Sequence, residues 1–525
     1  MDASESTNGD DESGSGTRTT RRLFLQGVAT ASVVSSQMGT ATAASDRYTE
    51  YRSEFDTVVD VTDLGADPTG TDSVSEVIDD ALADDTLLEF PEGRYYMDEQ
   101  VRHTGFEKVG LVGPEATLVP ANYFDFDGPQ YRLFRLGVRD DSGTDLVFDG
   151  FDVDQTAPDT GIRVIEAVVD DGLEVRDITV DGFHDSGTWG PARVVVQSPT
   201  GSGLVERFTA TEGGEWVSET PNAGDLWRGP TGLIANDNRG TLTLRDVELG
   251  PFPDNGLYAA GSTGPVVVEG GTFRNSNAAN VRIGGDGSVV RDATIVVDQI
   301  RPQDEAHRGV RIENTSDLRV ENVTVRNTAP LPTSPAVYVM NSTSNVVLQD
   351  LDVEISGSSV DYGVDIAPEA GETTVHESTI AMSTPGGNGI RIQGGDDPGS
   401  VLVEEVTITG DVGEESTRSG IWCDRDNCRF GVVTVDVTSD ERRYGIVNHG
   451  DGVTMYRGTY RASRYPVVNT GDGFHVEEVY GESRTDHEAV CLYDTSDDVY
   501  LKHNTLPGGI RDLGATNLRL VGNEF

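Results

Sequence analysis

The chain has 525 residues, with 90 Asp and Glu against 39 Lys and Arg, a formal charge of −51 and a pI near 4.2. A surface of that sign repels phosphate, which argues against nucleic acid or an anionic membrane as a partner. The apolar share of 36% is too low for a membrane protein, and 62 glycines in a regular pattern do not read as disorder. Only two basic residues, Lys108 and Lys502, are lysines. Acidic excess almost without lysine suits a protein kept soluble in concentrated salt, where carboxylates hold water and ions while screening suppresses their repulsion.

Residues 1–20 are polar, and Thr20-Arg21-Arg22-Leu23-Phe24-Leu25-Gln26 precedes a weakly apolar, uncharged stretch from Gly27 to Ala44. The small residues of "ATAA" fit cleavage after Ala43. This segment resembles a twin-arginine signal, which implies export of a folded chain and an extracellular or cell-surface location. The expected divisions are a signal and leader over 1–44, a cap and first turns over 45–145, and repeats over 146–525. No stretch of the mature chain reads as a membrane span. The three cysteines, Cys423, Cys428 and Cys491, make neither a disulfide framework nor a zinc pattern. Cys423 and Cys428 can bridge across a turn in an exported protein or stay as buried thiols, and both readings stand.

In the first 100 residues, "DLGADPTGTDS" (63–73) precedes a short amphipathic helix, with Ser73 and Glu76 spaced as a capping box. Val74, Val77, Ile78, Ala81 and Leu82 give that helix one apolar face, and "LLEFPEG" follows it. From residue 146 onward an eight-residue pattern recurs, as "LVFDGFDV" at 146, "LEVRDITV" at 173, "LRVENVTV" at 318, "VLVEEVTI" at 401 and "LRLVGNEF" at 518. The mean period is about 27 residues, which predicts a repeat architecture. A second element, Gly then apolar, any, apolar, appears as "GLYAA" at 256, "GVRIE" at 309, "GIRIQ" at 389 and "GIWCD" at 420. Each unit therefore reads strand, tight turn, strand, one-residue corner, strand, loop. The corner residues are Asp177, Asp246, Gly270, Asp292, Asn322, Asp350 and Gly522, types that tolerate a bent backbone. Three alternating strands per turn close into an all-β coil with apolar residues pointing inward.

These repeats and the helix-capped entry resemble the single-stranded right-handed parallel β-helix of the pectate-lyase superfamily, over about residues 58–525. The resemblance implies about 14 turns stacked roughly 4.8 Å apart, and glycan ligands along one face. It leaves open a lyase, a hydrolase, an epimerase or a noncatalytic surface protein.

The long insertions, 183–191, 211–230, 298–308, 327–335 and 411–419, fall just before the glycine-led strands, so they wall a groove floored by those strands. Their outward residues run Arg163, Ile234, Tyr258, Arg282, Arg311, Tyr338, Asp365, Arg391, Trp422, Val447. Aromatic faces stack on sugar rings and guanidinium forks grip carboxylates. The expectation is a lane binding an acidic polysaccharide as a monomer. Tyr258, Tyr338, Arg391, Trp422, Glu313, Trp216 and Trp227 are the candidate binding residues, with Trp189 a further wall residue. Arg311, His307, Asp365, Asp361 and Arg282 are the catalytic candidates.

β-Elimination needs a neutralised carboxylate and a base, and superfamily lyases use Arg or Lys, often with calcium. Lys108 and Lys502 lie outside the central turns, leaving arginine as base and Asp365 or Asp361 as calcium ligands. Hydrolysis needs two carboxyls, but the polygalacturonase-type signatures are missing: Asp396-Asp397 follows its strand, and "NHGDG" at 448 lacks the first glycine. Turns such as "GGDG" at 284, "HGDG" at 449 and "TGDG" at 470 admit calcium, or simply need positive φ.

Overall fold

The computed structural model describes residues 37–525 except 129–130, 222–226, 358, 411–417 and 438–442. The twin-arginine segment and most of the 411–419 insertion lie outside the described residues. The chain divides into two units at Tyr51 and Arg52. What is described of the first is helical. The second, Arg52–Phe525, is a right-handed parallel β-helix. Among the described residues no helix is long and apolar enough to cross a membrane.

Among the described residues one sheet, here called the floor, has sixteen parallel strands, one per turn, from Val101–His103 to Ile510–Asp512. The count exceeds the expected 14 because the turns of Val101–His103 and Arg132–Leu136 precede residue 146, where the regular repeat begins. Thirty further strands form a second sheet that runs round the corner of each turn, as in Leu318–Glu321 and Thr324–Asn327. Alternation decides what is inside: Val310 and Ile312 are fully buried while Arg311 between them is not.

The corners carry the left-handed backbone that their residue types suggested. Asp177, Asp246, Asp292, Asn322 and Asp350 have φ between 51 and 57°, and Gly270 and Gly522 have 68 and 62°. The later turns use the same geometry with residues that disfavour it, including Glu377, Glu405, Val432, Arg457 and Glu478. Val432 is the most strained by type, because a β-branched Cβ crowds the carbonyl at φ 54°. Val432→Asn is expected to raise stability by about 1 kcal/mol in urea denaturation. An unchanged or lower midpoint would show that the corner carries no such strain.

At the entry, the helix spans Ser75–Ala81 and buries Val74, Ile78 and Leu82 in the core. The reciprocal capping box does not form: Val74 is the N-cap and contributes no side-chain bond, while the Ser73 hydroxyl accepts from Ser75 N at 3.3 Å and donates to Asp98.

Neighbouring turns are pinned by polar ladders. Inside, Asn448 Nδ2 donates to Asn469 Oδ1 at 2.7 Å, and Asn469 Nδ2 to Ser496 Oγ at 3.0 Å. At the Gly/Asp turns, carboxylates accept the next turn's backbone N–H. Ser316 N donates to Asp286 at 2.6 Å, Asp472 N to Asp451 at 2.7 Å and Asp497 N to Asp472 at 2.9 Å. Gly287, Gly452 and Gly473 there have φ of 78, 67 and 64°. Outside, the second sheet aligns Asp149, Arg176, Glu206, Arg245, Glu269, Arg291 and Glu321 in one register line, alternating in sign.

Cys423, Cys428 and Cys491 are free and buried. The turn between the first two holds Arg425, 1% exposed, whose guanidinium donates to five backbone carbonyls. These are Gln393 at 3.0 Å, Ala370 at 3.0 Å, Gly399 at 3.1 Å, Ala367 at 2.6 Å and Pro368 at 3.2 Å.

Candidate functional site

The floor's central register line is Arg102, Arg135, Glu166, Arg193, Ile234, Tyr258, Arg282, Arg311, Tyr338, Asp365, Arg391, Trp422, Val447. From Ile234 onward this is the order that the repeat pattern gives. Arg163 departs from it: its register partner is Arg132, and Glu166, three residues on, takes the central place.

Along the middle turns the arginines are engaged by carboxylates, so the expected positive lane is largely neutralised. Glu313 accepts from Arg282 Nε at 2.7 Å and from Arg311 Nε at 2.9 Å, bridging the two. Asp365 accepts a fork from Arg391, Nε at 2.8 Å and Nη2 at 2.5 Å, and Gln393 Nε2 adds a bond at 3.0 Å. Burial lowers the Arg391 guanidinium, but the Asp365 bond and charge leave it above its ordinary value. Aromatic rings back these cations: Tyr258 lies 4.5 Å from the Arg282 guanidinium, Tyr362 3.9 Å from Arg391 and Tyr338 5.7 Å from Arg308.

His307 and Asp361 are fully buried, which removes both from contact with a ligand on the floor. His307 Nε2 sits 3.0 Å from Asp304 Oδ2, one helical-type i, i+3 step away within the insertion. Asp361 accepts from Tyr362 N at 2.8 Å and Asn327 Nδ2 at 3.2 Å, and burial holds its carboxyl well above the usual range. Neither Asp365 nor Asp361 is presented as a calcium ligand, and among the described residues no group of three or more His, Cys, Asp and Glu is placed to hold a metal.

Trp422 donates from Nε1 to Asp424 at 2.8 Å, and His449 Nδ1 lies 2.8 Å from the other oxygen of that carboxylate. Burial raises the Asp424 carboxyl, but the bonds from His449 and Trp422 leave it below its ordinary value. Sequence reading missed this pair because both residues lie two places past the outward position, in the turn.

The positive charge concentrates at the start of the same line. A cavity of about 440 Å³ is lined by Arg132, Arg135, Arg163, Arg193, Glu166 and Asp254, with Trp189 and Tyr258 at its sides. Glu166 accepts from Arg132 Nε and Arg163 Nη1, each at 2.7 Å, while Arg135 Nε and Arg193 Nη1 stand 3.8 and 3.9 Å off. Arg193 also reaches Asp237 Oδ2 at 3.2 Å. Four guanidiniums thus face Glu166, Asp237 and Asp254, an excess of one positive charge (4 − 3). Burial pushes Arg163 down to about 10, and it lowers Arg132 as well. Burial raises Glu166, but Arg163, Arg132 and Arg193 together pull it below the usual carboxylate value. Asp254 is raised by burial and accepts from Thr231 Oγ1 at 3.2 Å. Arg163 Nη2 and Arg135 Nε are buried donors without a hydrogen-bond partner among the described residues. Unpaired donors in a concave, charge-rich site suit a carboxylate or sulfate.

Residues of two of the insertions, 211–230 and 298–308, meet along one edge. Arg301 Nη1 donates to Gly214 O at 3.0 Å and Pro251 O at 2.8 Å, and Arg228 pairs with Glu305, so loops about 80 residues apart are tied together. Trp216 is 7% exposed and lies under Arg301, whereas Trp227 is 68% exposed.

Set beside known proteins, the chain matches no family model and no curated protein sequence. Among solved structures it is similar to PfbA, a surface adhesin of Streptococcus pneumoniae, at 12% identity and a TM-score of 0.38, over 75% of this chain and 91% of that one. It is similar to the pre-mature bacteriophage phi29 gene product 12 at 11% identity and a TM-score of 0.39, over 88% and 73%. It is similar to the catalytic unit of a GH87 alpha-1,3-glucanase from Streptomyces thermodiastaticus at 13% identity and a TM-score of 0.29, over 89% and 69%.

Proposed function

We propose that the chain is an exported, salt-adapted β-helix protein that binds an acidic glycan along its floor sheet and cleaves it by β-elimination or hydrolysis. The twin-arginine resemblance supports export, and the charge of −51 with two lysines supports salt adaptation. The observation that carries the ligand is the cavity in which Arg132, Arg135, Arg163 and Arg193 surround Glu166, with Tyr258 beside it. A uronate carboxylate or a sulfate group there completes the unpaired guanidinium donors, and the aromatic residues cover the ring.

A noncatalytic glycan-binding protein is the second reading. It is favoured by the state of the carboxylates: Glu313 and Asp365 are held by arginines, and Asp361 is interior. Two measurements separate the readings. Arg193→Ala is expected to weaken binding of uronate or sulfated oligosaccharides by roughly 10- to 100-fold in calorimetry, the loss of one charge-assisted contact. Equal affinity would remove the cavity from the binding site. New ultraviolet absorbance from an unsaturated product, or new reducing ends, supports cleavage. Neither signal across a panel of glycans that do bind leaves the protein a binder.

A further inference from the structure

Described residues of the two longest insertions line a second concavity, of about 520 Å³: Trp216, Ser218, Trp227, Arg228, Gln303 and Glu305. Its chemistry differs from that of the arginine cavity. Arg228 is paired with Glu305, and its guanidinium stacks on the Trp227 ring at 4.1 Å, fixing the indole from one side. The side chain of Asp304, also at this wall, is 1% exposed and lies 3.3 Å from Arg301 and 3.0 Å from His307. The charges here therefore cancel among themselves. What remains open is one indole largely in solvent, with the Ser218 hydroxyl and the Gln303 amide 3.5 Å apart across the seam between the loops.

Trp227 matters here because its open indole face borders a concavity that also presents a hydroxyl and an amide. A ring with an apolar C–H face and hydroxyl edges fits it: the face stacks on the indole, and the hydroxyls meet a hydroxyl and an amide, each able to donate and accept. The volume lies within the range of small-molecule sites. Arg228 and Arg301 are balanced in charge by Glu305 and Asp304, so the pocket offers an anion no net positive charge, although Arg228 Nε and Arg301 Nη2 are buried donors without a partner among the described residues. We infer that this pocket is a binding site for a neutral sugar ring, separate from the arginine cavity. The two sites are neighbours along the chain, Arg228 lining one and Thr231 the other, with Asp254 N bonded to Pro230 O between them at 3.4 Å. If the proposed function holds, the glycan carries a neutral residue near an acidic one.

Neutral methyl hexosides and neutral disaccharides, titrated against the mature protein, are expected to shift tryptophan fluorescence in a saturable way. Trp227→Ala is expected to abolish that shift and weaken binding at least tenfold, and Trp227→Phe to retain part of the affinity. The thermal midpoint of Trp227→Ala should match wild type, because the side chain is mostly exposed. Arg193→Ala should leave neutral-sugar binding unchanged, so failure of the acidic-glycan reading shows in a separate titration with uronates. The proposal is overturned if no neutral sugar binds, if Trp227→Ala binds neutral sugars as wild type does, or if uronate binding falls with Trp227→Ala and not with Arg193→Ala.

Discussion

Replacing Arg425 with alanine is expected to lower stability by about 4 kcal/mol or more, among the largest effects of any single substitution in this chain. Its guanidinium is buried and donates to five carbonyls at residues 367, 368, 370, 393 and 399, which belong to two earlier turns. Truncation leaves those carbonyls without the donor and opens a cavity beside Cys423 and Cys428, which are themselves fully buried. Arg425→Lys should recover only part, because one ammonium offers three donors on a single point and cannot fan across five acceptors. Arg429→Ala, four residues on and exposed, is the control and should change stability by less than about 0.5 kcal/mol. Urea midpoints test this. Since stacked turns can open locally, hydrogen exchange at residues 367–399 should rise first in the Arg425 variant. Equal midpoints for the two alanine variants would refute it.

Glu166→Gln is expected to cost about 3–5 kcal/mol, and to make the protein's stability depend on multivalent anions. Arg132 and Arg163 are 4% and 3% exposed and both donate to this carboxylate. Without it, four guanidiniums repel one another in a cavity that water reaches only partly. A sulfate ion bound among the four guanidiniums stabilises the folded state by mass action, by about 2.7 kcal/mol at 100 times its dissociation constant. Sulfate also strengthens burial in any protein, so the quantity to compare is the midpoint gain from chloride to sulfate at matched ionic strength. That gain should be larger in Glu166→Gln than in wild type. The same gain in both would mean that the cluster does not hold anions.

The repeat was legible because side-chain alternation and corner chemistry are local. Val310, Arg311 and Ile312 declare inside, outside and inside within three residues, and Asp292 or Asn322 announces a bent corner. Pairing was not legible, because partners arrive from other turns. Nothing near Arg282 in sequence says that Glu313, 31 residues on, is held between it and Arg311. The arginine cavity was missed for a related reason: Arg135 and Arg193 stand in strands without the leading glycine, and Arg163 sits three residues off the central line. Reading "LFRL" at 133 and "PARV" at 191 in the same register as "GVRI" would have found them. Insertion lengths identified the walled edge but not burial, which separates Trp216 from Trp227 and sends His307 inward.

The alternating line Asp149, Arg176, Glu206, Arg245, Glu269, Arg291, Glu321 acts as a parity check on how the chain is threaded. Skipping a single turn, whether in a misfolded intermediate or by deletion of one repeat, brings two like charges face to face where opposite ones belong, and directly opposed like charges destabilise a sheet. Skipping two turns restores the alternation. In this stretch the solenoid therefore tolerates gain or loss of repeats in pairs and resists it singly, although each turn has the same shape as the next.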